Sequence, residues 1–204
     1  MADEYADLKK RLALNDGLPY TPNWSAASDF LEIIVDHCLE YQPSLILECG
    51  SGLSTIMLAR CCQMNGKGRI ISLEDGAQYV DRNRSYTERY RLDAYADIVY
   101  APLIRISIDG VDYQWYSMDD IPVASIDMLV IDGPSGFIQK NSRYPALPLL
   151  ESRLSKGCHV FLDDASRQDE QEIVMRWMDR DPDLRHEYID NSRGCSVLVK
   201  GRIS

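Results

Sequence analysis

Four short apolar runs in this chain each stop at a carboxylate. Leu45-Ile46-Leu47 ends at Glu48, Ile71-Ser72-Leu73 at Glu74-Asp75, Met128 to Ile131 at Asp132, and His159 to Leu162 at Asp163-Asp164. Apolar runs of this length read as parallel strands buried on both faces, so their exits share one edge of a sheet. Solvation alone would scatter Lys, Asn and Ser among such exits. A rim of Glu and Asp instead complements a cationic ligand or a hard metal ion. The first exit also carries Gly50-Ser51-Gly52, where glycine lets backbone approach a ligand and the next helix offers unpaired N–H groups.

The acid inside that turn bears on the ligand. Glu48 would repel a pyrophosphate but suits a cationic sulfonium amino acid, which points to S-adenosylmethionine over NAD. Glu74 stands 22 residues beyond Gly52, near the roughly 20 expected for an acid that accepts hydrogen bonds from a ribose diol. For any one of these acids, a solvated strand cap is the plainer reading; their shared edge argues for a site.

The elements that must position these residues alternate between strand and helix periodicity. A short helix is expected over residues 3–13, broken by Asn15-Asp16-Gly17. Helical spacing over 28–41 (Phe30, Ile33, Ile34, His37, Cys38, Tyr41) precedes a strand at 45–49 and a helix at 53–64. A strand at 69–73, a polar helix at 78–92 and a strand at 97–100 follow. A Tyr-rich stretch at 106–116 turns at Asp109-Gly110 and reads as a hairpin insertion within 106–118. Next come a strand at 128–131, a helix at 144–154 stopped by Gly157, a strand at 159–162, a helix at 170–178, and a closing hairpin of 187–189 with 195–199. The pattern is one α/β domain over residues 1–204, with 1–42 as an N-terminal helical segment covering the site.

Composition narrows the partners. With 204 residues, 45% apolar and 26% charged, the chain suits one soluble globular core. A net charge of -10 argues against a general nucleic-acid binder, which needs clustered Lys and Arg. Cys38, Cys49, Cys61, Cys62, Cys158 and Cys195 lack zinc spacing and read as buried thiols of a reducing compartment. No apolar run reaches the roughly 20 residues of a membrane span. The acidic start Met1-Ala2-Asp3-Glu4 lacks signal-peptide features, so the cytoplasm is expected.

The ordered set of Leu47-Glu48-Cys49-Gly50-Ser51-Gly52-Leu53-Ser54-Thr55, Ile71-Ser72-Leu73-Glu74 and Leu129-Val130-Ile131-Asp132-Gly133-Pro134 resembles class I S-adenosylmethionine-dependent methyltransferases. The likeness covers nearly the whole chain. A narrower resemblance, to small bacterial-type members distantly like catechol O-methyltransferase, rests on Arg143-Tyr144-Pro145-Ala146-Leu147 and on Phe161-Leu162-Asp163-Asp164-Ala165-Ser166-Arg167 with Glu170. It implies a Rossmann-like seven-stranded, mostly parallel sheet in the order 3-2-1-4-5-7-6, strand 7 antiparallel, with helices on both faces. Ser54 stands where many members have a third glycine. Ala101-Pro102-Leu103 lacks the polar residue that often holds the adenine amine.

By the resemblance, Gly50, Ser51, Gly52 and Ser54 cradle the aminocarboxypropyl arm, Glu48 holds the ammonium directly or through water, and Glu74 with Asp75 faces the ribose. Asp132 lies between cofactor and acceptor. Asp132, Asp163 and Asp164 form an oxygen set suited to Mg²⁺. The metal-free alternative makes Asp132 or Asp164 the base, with Arg143 or Arg167 orienting it or binding an anionic substrate. The implied activity is O-methylation of a small-molecule hydroxyl on a sugar or natural-product scaffold. An NAD-linked oxidoreductase and a silent S-adenosylmethionine-binding or interaction domain are the competing readings. His37 and His159 read as core histidines and His186 as a surface one. Trp24-Ser25 would close over the cofactor or pack. Tyr113, Trp115 and Tyr116 would line an acceptor pocket or a homodimer surface.

Overall fold

The computed structural model describes residues 4–15, 17–119, 121 and 125–201. Strands β1 (Leu45–Cys49), β2 (Arg69–Glu74), β3 (Ala96–Tyr100), β6 (Ile126–Ile131), β7 (Leu154–Leu162), β8 (Arg185–Ile189) and β9 (Cys195–Val199) form one sheet in the order β3-β2-β1-β6-β7-β9-β8. β9 alone runs opposite to the other six strands, antiparallel to both β7 and β8. Leaving out the separate hairpin β4 (Leu103–Ile108) and β5 (Val111–Tyr116), this is the expected order 3-2-1-4-5-7-6.

Strand parity divides the core. Ile46, Ile70, Met128, Val130 and Phe161 face one layer, packed on α2 (Ser28–Tyr41) and α3 (Leu53–Asn65) through Phe30, Ile34 and Ile56. Leu47, Leu73, Leu129, Ile131 and Val160 face the other, against α5 (Ala146–Leu150) and α6 (Gln168–Arg180) through Leu150 and Trp177. The helices α1 (Ala6–Arg11) and α4 (Ala77–Arg89) complete the set. The connection from β3 to β6 is the β4–β5 hairpin, whose Ile108, Tyr113, Trp115 and Tyr116 enter the second core. All six cysteines are free and buried, and no helix among the described residues is long and apolar enough to cross a membrane.

One stretch departs from the sequence reading. The helix expected over 144–154 stops at Leu150, a 3₁₀ turn covers Glu151–Arg153, and β7 already starts at Leu154. Leu154 pairs with Ile126, and His159 with Met128, so β7 carries extra residues in a bulge. Gly157 sits in that bulge at φ +81° rather than ending a helix. Asp16 lies outside the described residues.

Candidate active site

The ladder continues past each strand end and lines up the exits. Gly50 N–H donates to Leu73 O (3.0 Å), Asp132 N–H to Cys49 O (3.0 Å), and Asp163 N–H to Ile131 O (3.1 Å). Strand order reverses between β1 and β6, the point at which open α/β sheets bind ligands. There Gly50, at φ +94°, crosses Gly133: a methyl on Gly50 would lie 3.3 Å from Gly133 N, and one on Gly133 would overlap the Tyr116 hydroxyl. Gly52 differs. Its φ of 166° suits any residue, and a methyl there would meet nothing within 4 Å. Neither backbone nor packing asks for glycine at 52, whereas a ligand lying on the turn would.

Glu48 lies deeper than the sequence reading put it. Its carboxylate is 0% exposed, on the face of Ile46, and Oε2 accepts from Thr55 Oγ1 (2.6 Å) and Ser72 Oγ (2.5 Å). Thr55 Oγ1 in turn accepts from Gly52 N–H (2.9 Å). The acid thus braces the glycine turn from within through two hydroxyls. Burial raises its pKa, against the pull of the Ser54, Ser72 and Thr55 hydroxyls, and Glu74 pushes it further up. Oε1 makes no hydrogen bond.

Glu74 sits at the end of β2 on the ligand side of the turn. Its Oε2 accepts from Ser51 Oγ (2.6 Å) and Ser51 N–H (3.3 Å), and Oε1 accepts from Gly76 N–H (3.0 Å). Asn83 Nδ2 of α4 donates to Ser51 Oγ (2.8 Å) and fixes that hydroxyl. Burial raises the Glu74 pKa and these hydrogen bonds restrain it. Asp75 is exposed beside it, and Ser54 is buried in the first turn of α3.

The second half of the site is built around Arg143, which is buried. Its Nη2 donates to Asp132 O (2.6 Å), Asp132 Oδ1 (3.2 Å) and Asp164 Oδ2 (3.0 Å), and Nη1 donates to Asp163 O (2.9 Å). Glu170, in the first turn of α6, stands 3.6 Å from Nη1. The half-exposed Arg167 pairs with Asp164 Oδ2 at 2.9 Å. Asp164 takes φ +58°, a left-handed conformation Asp tolerates but which costs energy. Burial, then Asp163, lift the Asp132 carboxyl well above its usual range despite Arg143. Burial and Asp164 push Asp163 up to about 6. Burial would lower Arg143, but Asp132, Asp164, Glu170 and Asp163 more than offset it.

Asp132, Asp163 and Asp164 offer oxygens within 4.8 Å of one another. Asp163 Oδ2 and Asp164 Oδ1 are buried without a hydrogen bond. Asp132, Asp164 and Glu170 pair with the two guanidinium groups of Arg143 and Arg167, and the Asp163 carboxylate adds a fourth acid to the cluster. This surplus of negative charge and these two orphan oxygens fit a divalent cation. Asp132 alone of the three aspartates opens outward, with 24% of its side chain exposed.

The structure brings together every expected site residue around one sheet edge, in two groups that meet at Gly50 and Gly133. Thr55, Asn83 and the Tyr116 hydroxyl stand among them, through contacts with Glu48, Ser51 and the Gly133 backbone. The [ST]-x-x-[DE] style spacing is absent at Thr55, but strand parity places Glu48 beneath the helix that follows, where a hydroxyl must meet it. Trp24 (63% exposed) and Phe137 (94% exposed) touch edge to face, 6.5 Å between centroids. Phe137 belongs to the loop after β6, next to Gly136, where a methyl would stand 3.9 Å from Arg167 Nη1. His37 and His159 stack with Tyr41 and Phe161 between α2 and β7. His186 Nε2 lies 3.0 Å from Ser196 Oγ.

Solved structures share this fold. The O-methyltransferase of Bacillus cereus, in complex with SAH, aligns at TM-score 0.67 and 16% identity over 95% of this chain and 89% of that one. The SAH-bound methyltransferase PaMTH1 of Podospora anserina aligns at 0.70 and 12% identity, covering 99% and 89%. The O-methyltransferase TomG of Streptomyces achromogenes, involved in tomaymycin synthesis and in complex with SAM, aligns at 0.67 and 14% identity, covering 99% and 92%. No curated protein matches by sequence. A family model described as a methyltransferase domain matches residues 47–165, from the first strand through the aspartate pair. With the sheet order, the glycine turn and the acidic exits all inside that span or framing it, this chain belongs to the methyltransferase-domain family, with the class I S-adenosylmethionine-dependent fold.

Proposed function

We propose that the protein transfers the methyl group of S-adenosylmethionine to a hydroxyl oxygen of a small-molecule acceptor. The open space beside Gly52 takes the amino-acid arm, and Glu74, already accepting from Ser51 and Gly76, exchanges these donors for the ribose diol. When bound, S-adenosylmethionine supplies an electrophilic methyl group whose transfer leaves a neutral thioether. Holding the acceptor oxygen in line supplies much of the rate.

One observation carries the choice of an oxygen acceptor. Asp132 is the open member of an otherwise closed carboxylate cluster, joined by its own backbone to the end of β1. There Asp132 accepts the proton of the acceptor hydroxyl as the O–C bond forms. Arg143 holds the carboxylate in place through Oδ1 and leaves Oδ2 for that proton. In the alternative arrangement Asp132, Asp163 and Asp164 would hold a divalent cation such as Mg²⁺, which would acidify a hydroxyl bound to it and replace Asp132 as the base. Trp24 and Phe137 at the rim favour a flat natural-product scaffold over a sugar.

Calorimetry with S-adenosylhomocysteine, followed by methyl transfer onto a panel of phenolic and sugar hydroxyls, tests the reading. Binding of S-adenosylhomocysteine together with turnover that is lost in Asp132→Asn supports it. A protein that ignores S-adenosylhomocysteine at millimolar concentration and takes up NAD overturns it.

A further inference from the structure

The two outer strands of the seven-stranded sheet are finished differently. At β3, Arg84 of α4 holds the Ile98 carbonyl, through Nη2 at 2.6 Å and Nε at 3.1 Å. At β8, no side chain among the described residues bonds the backbone of Arg185 to Tyr188, and all four residues are exposed. A bare strand edge is a template for another strand. The hairpin aromatics Tyr113, Trp115 and Tyr116, one expected homodimer surface, are buried and offer none.

Strand parity fixes what a partner at β8 would meet. His186 and Tyr188 lie on the α6 face, level with Leu198 and Ser196 of β9. With Val174, Met175 and Met178 they line a groove of about 510 Å³. Met175 and Tyr188 are 59% and 44% exposed, unusually open for apolar side chains. Arg185 and Glu187 lie on the opposite face, and among the described residues neither has an ion-pair partner within the chain.

We infer that β8 is the interface of a symmetric homodimer, the two β8 strands pairing antiparallel about a twofold axis normal to the sheet. Such an axis keeps each face of the sheet on its own side, so residues that oppose one another must share parity. Charge then selects among the allowed registers. Centring the pair on Glu187 sets that carboxylate against its own copy, and centring it on Arg185 sets two guanidinium groups together. Centring it on Tyr188 leaves Glu187 opposite an isoleucine. Only the register centred on His186 places Arg185 opposite Glu187 of the partner subunit and Glu187 opposite Arg185 of the partner subunit. Opposite charges across an antiparallel pair stabilise it, and like charges do the reverse. Five residues a side are too few to hold two chains by backbone pairing alone. The same axis sets the two α6–β8 grooves side by side on one face, where Met175 and Tyr188 of both copies add apolar area to the contact.

Light scattering during size exclusion should give twice the chain mass of 23.2 kDa. Arg185→Glu and Glu187→Arg each turn both attractive pairs into like-charge pairs, so sedimentation should show the dimer dissociation constant raised about tenfold or more. The double variant carrying both changes restores the pairs in reverse and should return to within about threefold of wild type. Mixing the two single variants in equal amounts should likewise recover a dimer that neither forms alone. In wild type, amide exchange along β8 should slow as protein concentration rises, a readout that needs no variant to fold. A wild type that stays monomeric at near-millimolar concentration overturns the inference. So does a dimer that both single variants leave intact, which places the interface elsewhere, and so does a double variant as weakly associated as its single parents.

Discussion

Thr55 and Glu48 are joined by a 2.6 Å hydrogen bond that runs from the first turn of α3 down into the sheet. The same hydroxyl accepts from Gly52 N–H, so the turn, the helix and the strand share one polar junction. Thr55→Val keeps the shape and removes both bonds, leaving Gly52 N–H without its partner and Glu48 without one of its hydroxyl donors. Stability to urea should fall by about 1–3 kcal/mol, and Thr55→Ser should restore most of it. An unchanged urea midpoint in Thr55→Val would show that the junction is not a brace.

Glu74→Ala should weaken S-adenosylhomocysteine roughly tenfold or more, since hydrogen bonds to a charged group contribute about 1.5–3 kcal/mol. Ser51 and Gly76 would lose their acceptor as well. Calorimetry giving the wild-type affinity would remove Glu74 from the ribose.

Asp132→Asn should lower kcat by a factor of about 10² to 10⁴, the usual worth of a positioned general base, with less than about a threefold change in S-adenosylhomocysteine affinity. Arg143→Met removes the buried cation from three carboxylates, and by the cost of breaking a buried ion pair should lose about 3–5 kcal/mol of stability. Unfolding and single-turnover measurements separate the two effects. Wild-type rates in Asp132→Asn would move the base elsewhere.

Mg²⁺ should raise the thermal midpoint if the orphan oxygens of Asp163 and Asp164 bind it. At a free ion concentration ten times its dissociation constant the gain is about 1.4 kcal/mol, or roughly 3–6 °C for a chain of this length. Asp163→Asn should abolish the shift. A midpoint that Mg²⁺ leaves unmoved in wild type would assign the cluster to Arg143 and Arg167 alone.

His37 gives a pH dependence of known sign. Burial, and then His159, lower its pKa from 6.5 to about 4. The folded protein therefore resists protonation that the unfolded chain accepts. This contribution is complete above pH 6.5, declines as pH falls toward 4, and is constant below. At 1.36 kcal/mol per pH unit it is at most roughly 3–4 kcal/mol. His37→Phe, which keeps a ring against Tyr41 and His159, should lose less stability between pH 7 and 4.5 than wild type does, measured by urea unfolding at both values. Equal losses in the two proteins would contradict it.

The sheet was legible because its central strands are apolar on both faces and end at acids, and because the order reverses where the glycine turn falls. The region after Arg143 was not. Leu147, Leu150 and Leu154 have helical spacing, yet Leu154 belongs to β7, where pairing with Ile126 outweighs the local period. Gly157 stops a helix and opens a bulge equally well by type, and only the partner strand distinguishes them. Within the site, the carboxylates were visible as strand exits, but the inward turn of Glu48 needed one more step. Counting alternate residues back from Glu48 reaches Ile46, which faces the helical layer, so the acid had to be braced by hydroxyls. Tyr116 was noticed only as part of an aromatic cluster, since nothing in its neighbours' types says how far a hairpin folds back.

The hairpin that stands between β3 and β6 pairs only with itself. Lengthening or trimming its tip at Asp109-Gly110 shifts no register in the seven-stranded sheet, whereas inserting a residue into any of the central strands would turn a whole core face outward. Diversification of what this scaffold accommodates beside its methyl source can therefore proceed at the hairpin while the shared machinery stays untouched.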